Sequence, residues 1–204
     1  MIYELAIVAK EGVTDEITSS LTTLVKDVVS QNDGEVLIED DWGKRTFAQP
    51  TSKGVRRGHF LYYIYKSGTN ANQELSRRFG INDHVLKNMI IVLGTDDQLE
   101  KIVKGYKTPF SRKYHGSVTD GQDEFSELER RQFSKRRQCW FQSRQIKADW
   151  KDPATYSWLV NDFGKINPSR VSGISVKHHR FANTAIKRAR QIGIISHLTD
   201  EIAE

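Results

Sequence analysis

The chain has 204 residues, a formal net charge of +5 and a pI near 9.2, with 37% of its residues apolar and 28% charged. That is enough for one or two domains, and too much apolar material for a wholly disordered chain. No apolar run approaches the roughly 20 residues of a membrane-spanning helix, the opening Met1-Ile2-Tyr3-Glu4 lacks the marks of a signal peptide, and a lone cysteine, Cys139, excludes an internal disulfide framework or a multi-cysteine metal site. The expectation is a soluble protein of a reducing compartment, with no membrane contact.

In chain order, residues 2–8 read as a short strand with Tyr3, Leu5 and Ile7 on one face. Thr14 reads as a helix N-cap, followed by Asp15 and Glu16 where the helix dipole favours acids. Ile17, Leu21, Leu24, Val25 and Val28 then recur at helical steps, and Asn32-Asp33-Gly34 stops the helix. Val36-Leu37-Ile38 opens a second strand that continues through Trp42 to Phe47, and aromatic-rich residues 60–65 form a third. A second helix over 70–79 places Leu75 and Phe79 four apart, and the apolar run 85–93 closes the series as a strand. The order βαββαβ predicts a ferredoxin-like α+β fold, two helices on one face of a four-stranded antiparallel sheet.

Residues 95–127 read as a tail and linker; from 105 onward they carry Gly105, Pro109, Gly116 and Gly121 without a sustained apolar period. Residues 128–204 open on the basic run Arg130-Arg131 and Lys135-Arg136-Arg137. Helical patterns follow over 154–163 and 175–192, the second with an apolar stripe of Phe181, Ala185, Ala189 and Ile192. Charge follows the same division. Residues 1–94 carry 11 Lys and Arg against 12 Asp and Glu, residues 95–127 carry 5 against 7, and residues 128–204 carry 15 against 7. A net +8 confined to one end points to an anionic partner, most often nucleic acid. The thin apolar stripe predicts that this small, mainly helical basic part docks on the first domain within the chain.

Enzymatic motifs are absent: no P-loop, no Gly-x-Gly-x-x-Gly and no Gly-x-Ser-x-Gly. Adjacent His178 and His179 point about 100° apart on a helix, so they read as solvated or RNA-facing and not as a ligand pair. Glu39-Asp40-Asp41 reads as a solvated strand end, and Cys139 as a small buried residue. The run Arg57-Gly58-His59-Phe60-Leu61-Tyr62-Tyr63 has the start of an RNA-recognition-motif third strand. His59 and Leu61 stand where that motif needs stacking rings, however, so core packing is the better reading.

Asp41-Trp42-Gly43-Lys44-Arg45-Thr46-Phe47-Ala48, Gly58-His59-Phe60 and Asp83-His84-Val85-Leu86-Lys87-Asn88-Met89-Ile90, with the Met1-Ile2-Tyr3-Glu4 start, resemble bacterial small-subunit ribosomal protein six over residues 1–94. Gly164-Lys165-Ile166-Asn167-Pro168-Ser169-Arg170-Val171-Ser172-Gly173, with Lys177 and Ala185-Ile186-Lys187-Arg188-Ala189-Arg190, resembles bacterial small-subunit ribosomal protein eighteen over residues 135–198. The two resemblances imply a fusion of partner proteins that bind each other and ribosomal RNA on the platform of the small subunit, in a bacterial or organellar ribosome. They imply a non-enzymatic structural role, with neighbouring ribosomal proteins as further partners and no cofactor.

The candidate RNA-binding residues are Lys44, Arg45, Arg56 and Arg57 in the first part. In the second they are Lys135, Arg136, Arg137, Arg144, Lys165, Arg170, Lys177, Arg180, Lys187, Arg188 and Arg190. Some members of the protein-eighteen family carry a cysteine-and-histidine metal set near the equivalents of Cys139, Ser175 and His178. Only Cys139 and His178 remain here, so a closed four-ligand zinc site is not expected. The alternative function is a free single-strand RNA binder or translational regulator that uses the aromatic third strand as a stacking platform. An acylphosphatase-like enzyme rests on fold analogy alone.

Overall fold

Strand β1 (Ile2–Lys10) is buried from Ile2 to Ala9, which places it at the centre of the molecule's sheet. In the computed structural model, which describes residues 1–51, 54–109 and 139–198, it pairs antiparallel with β3 (Arg57–Lys66) on one side and β4 (Val85–Gly94) on the other. β2 (Glu35–Thr46) flanks β3, giving the order β2-β3-β1-β4. The predicted ferredoxin-like βαββαβ arrangement is the observed one.

Register explains the core. Leu5 faces Tyr63 and Ile7 faces Leu61, so the odd-numbered positions of both strands share one face. Helices α1 (Asp15–Gln31) and α2 (Thr69–Ile81) cover that face with Leu21, Val25, Val28 and Val29 from the first and Leu75 and Phe79 from the second. Asp15 and Glu16 occupy the first turn of α1 as expected, although Thr14 makes no side-chain cap bond. At Gly34 the chain leaves α1 so close to β3 that a Cβ there would lie 2.5 Å from the Lys66 carbonyl oxygen. Only glycine fits that approach.

The chain divides into two units, Met1–Thr108 and Pro109–Glu204. The first therefore extends past the last strand. A 3₁₀ turn (Asp96–Gln98) leads into α3 (Leu99–Gly105), and Tyr106 stacks on Tyr62 with ring centroids 5.1 Å apart. The expected linker over 105–127 and the basic run at 130–137 fall mostly in residues 110–138, outside the described residues.

The second unit contains α4 (Trp140–Ser143), α5 (Ser169–Ser172) and the long α6 (Val176–Ile192). The helix expected over 154–163 is not there. Asp152 and Pro153 start a 3₁₀ turn over Pro153–Thr155, a second follows over Ser157–Leu159, and Val160 then bridges Ile166 across a turn. The Asn161 side chain accepts the amides of Phe163 and Lys165, and Gly164 sits at φ 70°. Turn chemistry outweighs a weak helical period here. Ser175 caps α6 and Gly193, at φ 94°, ends it. The buried face of α6 is Ala182, Ala185, Ile186, Ala189 and Ile192, so Ala185, Ala189 and Ile192 of the expected stripe lie inside while Phe181 is 49% exposed, with Ala182 and Ile186 buried in addition.

Candidate nucleic-acid interface

The outward face of α6 follows from its buried one. Lys177, Arg180, Phe181, Thr184 and Lys187 recur at three- and four-residue steps and are exposed, and Arg188 is half-buried beside them. Residues 163–199 contain seven Lys and Arg and no Asp or Glu. Among the described residues, Lys177, Arg180, Lys187 and Arg188 have no ion-pair partner. Arg170 on α5 and Lys165 in the turn before it are exposed in the same unit. Arg144, just past α4, is exposed with its guanidinium 5.1 Å from the centroid of the Trp140 ring. Lys135, Arg136 and Arg137 lie outside the described residues.

Arg190 is used differently. Its Nη2 donates to the Gly164 carbonyl and its Nε to the Ser196 carbonyl at 3.2 Å, and burial lowers its pKa. The guanidinium thus ties α6 to the turn before α5 and to the segment after its own C-terminus.

Both histidines are half-buried and hydrogen-bonded within the second unit. The His178 ring stacks on Phe141 at 5.7 Å, with its Nδ1 at 2.8 Å from Ser175 Oγ and 3.4 Å from Cys139 Sγ. His179 donates through Nε2 to the Asn167 carbonyl (2.9 Å). Cys139 is buried as expected. Burial pushes its thiol up, but hydrogen bonds from Ser175, Gln142 and Phe141 more than reverse this, leaving it below the ordinary value. The structure therefore brings Cys139, Ser175 and His178 together. These donors do not fit a zinc ion: they are one thiol, one imidazole and one serine hydroxyl, where a structural site needs about four Cys, His or carboxylate ligands, and the described residues offer no group of three His, Cys, Asp or Glu that could hold a metal.

In the first unit, Lys44, Arg56 and Arg57 are exposed near the β2–β3 connection, where Lys44 pairs with His59 and Thr46 with Arg57. Arg57 meets Glu11 at 3.4 Å. Arg45 is half-buried, donates through Nε to the Trp42 carbonyl (3.0 Å), and has its pKa lowered by burial.

The expected solvated strand end is exposed at Glu39 and Asp41 and half-buried at Asp40, and all three carboxylates have partners. Glu39 pairs with Lys26 (2.7 Å), Asp41 with His59 (2.6 Å), and Asp40 accepts from the Tyr106 hydroxyl (2.5 Å) and Trp42 Nε1 (3.2 Å). These contacts also settle the third strand. His59 and Leu61 lie on its helix-facing side, while Tyr62 on the other side is fully buried, stacked with Trp42 (4.9 Å) and Tyr106 (5.1 Å). No open aromatic platform is left on that strand. Sequence periodicity placed Phe181 in the core; the tighter 182, 185, 186, 189 spacing is the signal that would have put it outside.

Residues 2–92 match the family model for Ribosomal protein S6, and residues 144–195 that for Ribosomal protein S18. The Small ribosomal subunit protein bS18 of Syntrophobacter fumaroxidans is 44% identical over 71 residues, which span 34% of this chain and 88% of that protein. The Small ribosomal subunit protein bS6 of Clostridioides difficile is 33% identical over 90 residues, spanning 44% of this chain and 96% of that protein. The crystal structure of 30S ribosomal protein S6 from Thermotoga maritima covers 52% of this chain and 97% of its own, at a TM-score of 0.43 and 20% identity. Since separate parts of one chain each cover nearly a whole relative, the chain belongs to the ribosomal protein S6 family through its first part and to the ribosomal protein S18 family through its second, two small-subunit ribosomal proteins fused in sequence.

Proposed function

We propose that this chain fills two places in the small ribosomal subunit at once, as a structural constituent that binds small-subunit ribosomal RNA at the platform. The observation that carries the proposal is the acid-free stretch 163–199, in which Lys177, Arg180, Lys187 and Arg188 lie on the outward side of α6 in the part matched to the S18 family. Such a ridge neutralises phosphates, and RNA binding through it is strongly salt-dependent. The first unit contributes Lys44, Arg45, Arg56 and Arg57 and serves mainly as a protein platform for neighbouring ribosomal proteins and for the second unit, which docks to it within the chain. Residues 1–108, 109–127 and 128–204 then act as platform, tether and RNA-binding part. No reaction is assigned to either part, and the site of action is the ribosome, in a bacterial cytoplasm or an organelle.

Co-sedimentation tests this. The chain stays with small subunits through a high-salt wash if it is an integral constituent. Release at moderate salt, together with tight binding to short free oligonucleotides, would favour a regulator instead. The buried state of Tyr62 already removes the stacking platform that the regulator was expected to use.

A further inference from the structure

Phe181 is an aromatic ring set among cations. It is 49% exposed on the outward face of α6, and its helical neighbours there are Lys177 four residues before and Thr184 three residues after, with Arg180 adjacent and Lys187 and Arg188 one further turn along. A single exposed apolar residue is ordinary on a protein surface and needs no explanation by itself. This one differs in its setting. No carboxylate occurs anywhere in residues 163–199, and the four cations around the ring have no ion-pair partner among the described residues. The helix buries Ala182, Ala185, Ile186, Ala189 and Ile192, while its phenyl ring faces outward.

We infer that Phe181 is a base-stacking residue, taking the face of one unpaired RNA base while Lys177, Arg180, Lys187 and Arg188 hold the phosphates on either side of it. This rests on the proposal that α6 faces ribosomal RNA. The chemistry selects the ligand. Bases within an A-form duplex are stacked on one another and offer no free face, whereas bases in loops and bulges are splayed out and stack on aromatic side chains. A protein surface of the same shape would need acidic groups to meet these four cations, and would leave them desolvated where it did not supply them. RNA supplies both halves at once, a flat apolar face and the negative charge beside it.

The test uses the full-length chain and deproteinised small-subunit ribosomal RNA. Affinity is measured across a salt series for the native protein and for Phe181→Ala, Phe181→Leu and Phe181→Trp, each first checked for unchanged helix content. Irradiation at short ultraviolet wavelength followed by peptide mass spectrometry locates the contact. Phe181→Ala is expected to weaken binding about 5- to 150-fold at every salt concentration without changing the slope. Phe181→Leu should resemble Phe181→Ala, Phe181→Trp should bind like the native chain, and the peptide carrying Phe181 should bear a nucleotide adduct. A Phe181→Leu protein that binds as tightly as the native one overturns the inference. So does a loss that Phe181→Trp fails to restore, because either result makes the ring bulk rather than a stacking face. A Lys187→Ala/Arg188→Ala protein separates the two levels. If its salt slope is shallower while Phe181→Ala has no effect, only the stacking role falls; if its slope is unchanged, the RNA-facing role of α6 falls with it.

Discussion

Lys187, Arg188 and Arg190 fall within one helical turn, and from sequence they form a single phosphate-binding group. The structure splits them. Lys187 and Arg188 have no ion-pair partner among the described residues, whereas Arg190 donates to the carbonyls of Gly164 and Ser196. Replacing Lys187 and Arg188 together with Ala should therefore reduce the magnitude of the salt slope for RNA binding by about 1.4 to 1.8, at roughly 0.7–0.9 per lost phosphate contact. A fourfold rise in salt then costs the native chain about seven to twelve times more affinity than it costs the variant. Arg190→Ala should leave the slope unchanged and appear as lost stability. Two hydrogen bonds from a half-buried charged group to main-chain carbonyls amount to about 2 kcal/mol in total, after discounting for solvent. Fluorescence titration of small-subunit ribosomal RNA over a potassium chloride series gives the slopes, and urea unfolding gives the stability. A slope change for Arg190→Ala as large as that for Lys187 or Arg188 alone, at unchanged stability, would refute this division of roles.

Three further outcomes follow from other parts of the chain. Hydrogen bonds from Arg77 and Arg78 hold the Glu74 carboxyl down from 4.5 to about 2, so its stabilising effect is complete above about pH 4.5 and is lost as pH falls toward 2; the urea midpoint of the native chain should therefore fall more steeply than that of Glu74→Gln across that window, and parallel curves would contradict this. Tyr106→Phe removes the hydroxyl that donates to Asp40 and accepts from Trp42, costing about 1–2 kcal/mol, and Tyr106→Ala loses the stack on Tyr62 as well, a further 0.5–1.5 kcal/mol or so; equal unfolding midpoints for all three proteins would show that residues 95–106 do not stabilise the sheet. Residues 128–204 expressed alone should show little helix by circular dichroism and gain it when residues 1–108 are added, whereas cooperative unfolding of that fragment by itself would count against docking within the chain.

The elements most legible in sequence are those with local causes. Leu21, Val25 and Val28 mark α1, the Ser175 and Gly193 caps bound α6, and the alternation of Tyr3, Leu5 and Ile7 marks one face of β1. What sequence reading missed depends on contacts between distant positions. Alternation in β1 does not reveal that Glu4 is also buried, because its partner is the Tyr62 hydroxyl 58 residues away. Tyr106 reads as part of a linker because α3 has seven residues and buries none of them; its place is set by Tyr62, Trp42 and Asp40. The helix expected over 154–163 fails to Asp152, Asn161 and Gly164, whose turn preferences outweigh a short apolar period. In the candidate interface the exposed cations of α6 were legible as charge, but the diversion of Arg190 was not, because its acceptors are main-chain carbonyls that no side-chain pattern encodes.

The most direct test of the central claim is the structure of the small ribosomal subunit isolated from the source cell. One continuous chain should occupy both the S6 and S18 positions, one copy per subunit, with the outward face of α6 against ribosomal RNA. Separate chains at those two positions, or a subunit that lacks this protein, would contradict it.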